Sequence, residues 1–303
     1  MVGMEQDRSD SRRGAASVVR KLASTALAAL PPQARRAVLH AFDRYAPWEE
    51  GFDLTAPTLH KGEATGPPDF VGIGAQKCGT TWWYELIAAH PHVACRDDIH
   101  KERHFFNRYA TRSFGPADCS LYLEWFPRPH GMITGEWTPD YLHLPWVPAL
   151  LAQAAPETRL LVLLRDPVER FRSGLSHHRR DRGRLDPDVY ADAVARGFYN
   201  QALTAWTTHF PRRQLLVLQY ERCVADPLGQ LARTYRFLGL DPFVPEGIER
   251  RVSGTTDFVP LDEDARSRLA DLYAPDANAL ATNFPEFELD IGLWTNFSSS
   301  LAR

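Results

Sequence analysis

From Asp69 onward the chain alternates short apolar runs with longer segments of helical periodicity. Phe70–Gly74 (FVGIG) is too short for a helix and reads as a buried strand. Thr158–Leu164 (TRLLVLL) is almost continuously apolar, the pattern of a strand covered on both faces. Gln214–Tyr220 (QLLVLQY) is a third strand. Helical periodicity fills the intervals. One helix is expected over Gly79–Ala89, stopped at His90-Pro91. A second is capped by Asp166, with Pro167 in its first turn, and runs past Ser173 toward Arg180. Further helices are expected over Ala191–His209 and Asp226–Leu238, and a last one begins within Asp262–Leu272. Strands alternating with helices predict an α/β fold with a central parallel sheet flanked by helices.

The first 65 residues have a different texture. Residues 1–15 read as a disordered tail. Residues 16–30 (ASVVRKLASTALAAL) have helical periodicity and end at Pro31-Pro32, and a second short helix is expected over Gln33–Arg44. The expected division is a tail and helical arm at 1–65, then one domain at 66–303. The arm suits either a dimer element, which would make the protein a homodimer, or a lid.

Composition narrows the class. At 44% hydrophobic and 24% charged residues, the chain is of ordinary globular type. No apolar run reaches membrane-spanning length and the N-terminus is polar, so a cytoplasmic protein without a signal peptide or membrane insertion is expected. A net charge of -3 argues against a general nucleic-acid binder. The four cysteines, Cys78, Cys95, Cys119 and Cys223, form no CxxC pair, so neither a metal site nor a redox motif is expected.

The stretch GAQKCGTTWW, Gly74–Trp83, carries the chemistry. A strand, a glycine turn and a helix start place unpaired N–H groups and a helix dipole where an anion can sit. Lys77 adds a positive charge, and Thr80 and Thr81 add hydroxyl donors. The triphosphate-binding pattern GxxxxGK[ST] is not met, because the lysine precedes Gly79. The strand at 160–164 ends in Arg165 and not in an acid that could hold magnesium. Such a loop suits one phosphate better than a triphosphate chain. A second candidate follows that strand: LLVLLRDPVERFRSGLSHHRR places Arg165 at the strand end and Ser173 inside the next helix. An arginine fork matches two phosphate oxygens.

Together the two stretches resemble the donor site of sulfotransferases that use 3′-phosphoadenosine 5′-phosphosulfate (PAPS), in particular the bacterial and heparan-sulfate-type branch. The resemblance runs over about residues 69–294 and implies a P-loop-type nucleotide-binding fold. It implies that Lys77 faces the phosphosulfate, that Gly79, Thr80 and Thr81 hold the 5′-phosphate, and that Trp82 lies by the adenine. Cys78 falls among these nucleotide-binding positions, though its side chain reads as incidental. Arg165 and Ser173 take the 3′-phosphate. Tyr220, at the end of the third strand, joins the cofactor-binding set. Arg251, Ser253 and Gly254, in the stretch RRVSG at 250–254, are the candidates for closing on the nucleotide.

The same resemblance suggests a proton acceptor. KERHFF, Lys101–Phe106, is similar to a family block whose glutamate is the expected base, which assigns that role to Glu102, with Lys77 stabilising the leaving group. His104 is the alternative base. GEWTPDYL, Gly135–Leu142, carries Trp137 where the family places a lysine. That leaves a second catalytic lysine unassigned, makes Trp137 a candidate aromatic wall for the acceptor, and keeps Glu136 as a second carboxylate. Trp83, Trp125 and Trp146 also fall beside the expected cleft, with Trp83 better read as core. Arg179, Arg180, Arg182 and Arg184 are interrupted by Asp181, Asp186 and Asp188, which favours a small acceptor over a polyanionic one. The expected activity is sulfonate transfer to a hydroxyl, less readily an amine, of a small molecule, glycan or natural product. The alternatives are a magnesium-dependent small-molecule kinase with an atypical phosphate loop and a non-catalytic nucleotide-binding protein.

Overall fold

The computed structural model describes residues 55–182, 186–248 and 258–297, with Ala29, Leu30, Ala34 and Val38 before them. The expected tail, both arm helices and the 250–254 stretch lie outside the described residues or are touched only at those isolated positions. The chain divides into two units, Met1–Asp53 and Leu54–Arg303.

β1 (Glu63–Ala64) and β3 (Arg128–Pro129) form a separate, short antiparallel pair. The main sheet has four strands in the order β4 (Gly135–Trp137), β2 (Phe70–Gly74), β5 (Arg159–Leu164), β6 (Leu215–Gln219). All three pairings are parallel. Every residue of β2 and β6, and all but the first of β5, is buried, as continuous apolar runs demand of a sheet covered on both faces. The three strands read from the sequence are present. β4 was not foreseen, since three residues (GEW) show no period. Its partner explains it: Gly72 of β2 lies opposite Trp137, and a Cβ at Gly72 would fall 2.1 Å from the indole. Only a glycine lets that ring lie across the strand.

The expected helices are present, one of them split in two, and three further α-helices that the periodicity did not predict are found among the described residues. α1 (Thr80–Ala88) follows the glycine turn, α2 (Pro116–Leu123) and α3 (Val147–Ala154) lie between β2 and β5, and α4 (Pro167–Arg182) follows β5. The Asp166 cap is present, its Oδ1 accepting from Val168 N at 2.9 Å. The helix expected over 191–209 is two helices, α5 (Pro187–Ala195) and α6 (Tyr199–Thr207). The break falls at Gly197, where the Tyr273 ring leaves no room for a Cβ, the nearest approach being 2.5 Å. A short α7 (Tyr220–Ala225) precedes α8 (Pro227–Leu238), and α9 (Glu263–Asn283) runs on through Pro275. Trp83, Trp137, Trp206 and Trp294 are among the largest wholly buried side chains. They fill the space between sheet and helices. Parallel strands place their carboxyl ends on one edge, and that is where β2 meets its loop and β5 meets Arg165.

Candidate active site

A cleft of about 450 Å3 opens at that edge. Its wall includes Lys77, Gly79, Thr80, Thr81 and Trp82 from the loop and α1, Arg165 and Ser173 from the β5–α4 junction, Glu102, and Tyr220. These residues, singled out in the sequence and running from Lys77 to Tyr220, thus meet in one concavity. Gln76, Pro139, Asp140, His177 and Phe258 also border it and were not foreseen. His177 was legible, because it lies four residues beyond Ser173 and so on the same helix face. Phe258 had no local signal.

The loop is shaped by two residues with positive φ, Lys77 at 67° and Gly79 at 92°. At Gly79 a side chain is excluded twice, by that dihedral and by the Tyr220 ring, which would lie 2.9 Å from a Cβ. Tyr220 in turn stands edge-on to Trp82, with ring centroids 6.3 Å apart, and carries the Arg165 guanidinium 4.9 Å over its face. One tyrosine thus connects the two halves of the site. Trp82 is only 3% exposed and donates from Nε1 to the Ile248 carbonyl at 3.3 Å, so it meets the cleft by its edge.

Arg165 is not consumed by its acidic neighbours. Asp166 turns away, accepting from Asn296 Nδ2 at 2.7 Å and Asn296 N at 3.1 Å. Glu169 stands 3.9 Å from Arg165 but only 2.6 Å from Arg172 and 2.8 Å from Arg266. The Arg165 backbone is held by Tyr199, whose hydroxyl donates to its carbonyl at 2.9 Å.

Glu102 faces the cleft with its carboxylate shared by Lys101, through a short ion pair, and by His104 Nε2 at 3.3 Å. Partial burial would raise its pKa, but the bonds from His104 and Lys101 outweigh that and bring it to about 2. The same bond raises His104, against burial, with Asp140 adding to the rise. His104 does not border the cleft. Its Nδ1 lies 3.7 Å from Asp140 Oδ2, so it bridges the two carboxylates that do. Asp140 is steadied from behind by Arg196 at 2.7 Å.

Four expectations are corrected. Cys78 is wholly buried, with Sγ 3.8 Å from the Tyr199 hydroxyl, and its thiol is pushed up to about 11 by burial, so its side chain belongs to the core and not to the nucleotide site. Trp137 is no acceptor wall: it is fully buried and donates to the Gly74 carbonyl at 3.2 Å, underpinning the loop. Glu136 is no second active-site carboxylate. Also fully buried, it accepts from Thr138 Oγ1 at 2.6 Å and Tyr122 OH at 2.8 Å, and Thr138 Oγ1 in turn accepts from Arg103 N at 2.9 Å. Its role is to hold the 101–104 segment in place. Trp125 and Trp146 do not reach the cleft either, the latter donating to the Phe106 carbonyl at 2.9 Å. Trp83 is core, as expected, and donates to Thr234 Oγ1 at 3.1 Å. Arg251, Ser253 and Gly254 lie outside the described residues. Of Arg179, Arg180, Arg182 and Arg184, only Arg179 has a described side chain.

Comparison with known proteins supports the same region. Residues 67–256 match the sulfotransferase domain family. Human heparan sulfate glucosamine 3-O-sulfotransferase 3B1 is 32% identical over 196 residues, which is 59% of this chain and 48% of that protein. The mouse heparan sulfate glucosamine 3-O-sulfotransferase 6 is 33% identical over 253 residues, 76% of this chain and 71% of the relative. The chain therefore spans about half the length of the human relative. A sulfotransferase structure from Alicyclobacillus acidocaldarius superposes with a TM-score of 0.59 at 22% identity, covering 75% of this chain and 98% of its own, which establishes a common fold.

Proposed function

Given that the chain belongs to the sulfotransferase family, we propose that it moves a sulfonate group from PAPS to a hydroxyl of a sugar-like acceptor, with Glu102 taking the acceptor proton. The observation that carries this reading is the single cleft uniting the Lys77 loop, the Arg165–Ser173 pair and Glu102. Two donor-rich ends on adjacent strands suit a nucleotide with a 5′- and a 3′-phosphate. The donor supplies an electrophilic sulfur and a phosphate leaving group. The acceptor oxygen forms a bond to sulfur as the sulfur–oxygen bond to the 5′-phosphate breaks, and the hydroxyl proton passes to Glu102.

The residues divide the work by position. The first N–H groups of α1, with Thr80 and Thr81, bind the 5′-phosphate. Lys77, inside the turn, stabilises charge developing on the leaving phosphate oxygen. Arg165 and Ser173 orient the 3′-phosphate. Glu102 is ionised at neutral pH and borders the cleft, which qualifies it as acceptor by position, while its bonds to His104 and Lys101 weaken it as a base until one of them loosens. His104 keeps its carboxylate aimed and acts as a positioning residue, which favours Glu102 over His104 as the base. Glu102, Pro139 and Asp140 border the same end of the cleft, and the tryptophans once eligible as acceptor walls are elsewhere. A polar rim of this kind suits a hydroxyl-rich acceptor better than an aromatic one. That agrees with relatives named for a glucosamine of heparan sulfate.

Donor choice and turnover test the reading separately. The protein should bind 3′-phosphoadenosine 5′-phosphate and hydrolyse or transfer from PAPS without magnesium. A preference for ATP with magnesium would sink the proposal in favour of a kinase. Lys77→Ala and Glu102→Gln should each abolish transfer, while Glu102→Gln keeps nucleotide affinity nearly unchanged. Full activity in Glu102→Gln together with its loss in His104→Ala would reverse the base assignment.

A further inference from the structure

α9 lies beyond the segment that matches the family, yet one of its residues reaches the carboxylate that stands beside Arg165. Arg266 donates from Nη1 to Glu169 Oε1 at 2.8 Å. On the other oxygen of that carboxylate, Arg172 donates from Nη2 at 2.6 Å and from Nε at 3.1 Å. Glu169 lies one turn along α4 from Arg165, in the (i, i+4) relation that pairs side chains on a helix surface. Left alone, a carboxylate at that spacing would close on the Arg165 fork. It instead stands off at 3.9 Å, with both oxygens directed to other arginines. Burial would raise the Glu169 carboxyl, but the bonds from Arg266 and Arg172 dominate and hold it below its ordinary value. It is thus a full negative charge beside the site proposed for a phosphate, and its charge has been assigned elsewhere. Arg172 is itself occupied on its other side, 4.2 Å over the Phe258 ring.

We infer that Arg266 is a positioning residue for nucleotide binding: by holding Glu169 it keeps that carboxylate off Arg165 and leaves the guanidinium to an incoming phosphate. The inference rests on the assignment of Arg165 to the 3′-phosphate. Arg266 need not touch the nucleotide. Its effect is exerted through a competition between one carboxylate and one phosphate for the same fork, in a partly buried setting where charge is poorly screened.

Calorimetric titration with 3′-phosphoadenosine 5′-phosphate tests it. Arg266→Ala should raise Kd about tenfold, the scale expected for a like-charge group turned toward a bound phosphate. The double variant Arg266→Ala with Glu169→Gln should return Kd to within about threefold of the parent, although the tie between α9 and α4 is still missing. Restoration is the readout that a merely structural role would not produce. Unchanged binding in Arg266→Ala would overturn the inference, and so would a double variant as weak as the single one. Should Arg266→Ala not fold, Glu169→Gln alone decides: binding as tight as the parent or tighter is expected, and a loss beyond about threefold overturns it. If the parent itself fails to bind this nucleotide, the donor assignment fails first, which is distinguishable from any failure confined to Arg266.

Discussion

Replacing Gly79 with alanine should weaken the protein and its nucleotide site together, and the structure separates the two contributions. Gly79 has φ 92° and ψ 18°, where an L-residue loses about 1–2 kcal/mol to contact between Cβ and backbone. A Cβ there would also lie 2.9 Å from two carbons of the Tyr220 ring, closer than an ordinary contact. The ring cannot simply retreat, since Trp82 stands against its edge and Arg165 over its face. Overpacking of this kind adds about 1–3 kcal/mol. Gly131 provides the control: its φ is 83°, but a Cβ there would meet nothing within 4 Å. Gly131→Ala should therefore lose only the backbone part. Thermal unfolding should show Gly79→Ala lower by about 4–20 °C and Gly131→Ala by about 2–8 °C, at about 2–4 °C per kcal/mol. Titration with 3′-phosphoadenosine 5′-phosphate should show at least about tenfold weaker binding for Gly79→Ala alone, because the displaced ring moves Arg165 as well as the loop. Equal destabilisation by the two substitutions, or unchanged nucleotide affinity in Gly79→Ala, would refute the reasoning.

Two further outcomes follow from the buried and paired groups. The Glu102–His104 pair should stabilise the fold only in a window. A carboxyl lowered to about 2 contributes above its ordinary value near 4.5 and loses the contribution as pH falls toward 2, while a raised imidazole contributes below 6.5 and loses it as pH rises through its elevated pKa. Both side chains are more than a third exposed, so solvent screening keeps the effect below ~1 kcal/mol; it is measured as the difference between parent and His104→Ala unfolding free energies across pH, and a difference that does not shrink on the alkaline side contradicts it. Trp137→Phe leaves the Gly74 carbonyl without its donor and opens space over Gly72, so stability should fall by about 1–3 kcal/mol in denaturant titration while acceptor KM stays at the parent value. A changed KM with unchanged stability would return Trp137 to the acceptor site.

The part of the cleft proposed for the donor was legible because its geometry is local. A strand end, a glycine turn and a helix start are consecutive in sequence, and so are Arg165, its Asp166 cap and Ser173. Their types and spacings contain the arrangement. The end proposed for the acceptor was only partly legible, because burial decides it and burial is a property of the whole fold. Glu136 and Glu102 are both carboxylates beside aromatic residues, and nothing in their neighbours tells that one is fully covered and the other faces the cleft. Trp137 misled for the same reason: its meaning comes from Gly72, 65 positions earlier and one strand away. Cys78 shows that even a loop alternates sides, with Lys77 toward the cleft and its neighbour toward Tyr199. The three-residue strand β4 had too little length to display a period at all.

The hydrogen bonds around Asp166 also set an order in time. Asn296 satisfies that carboxylate from 130 positions downstream, and Trp294 donates to Glu221 at 3.2 Å, whose other oxygen receives the Asp166 amide at 3.0 Å. A chain emerging from the ribosome presents the loop lysine and the arginine long before these donors exist. Charged groups made early are left waiting for partners made much later, and the junction between β5 and α4 is complete only once Asn296 has joined Asp166.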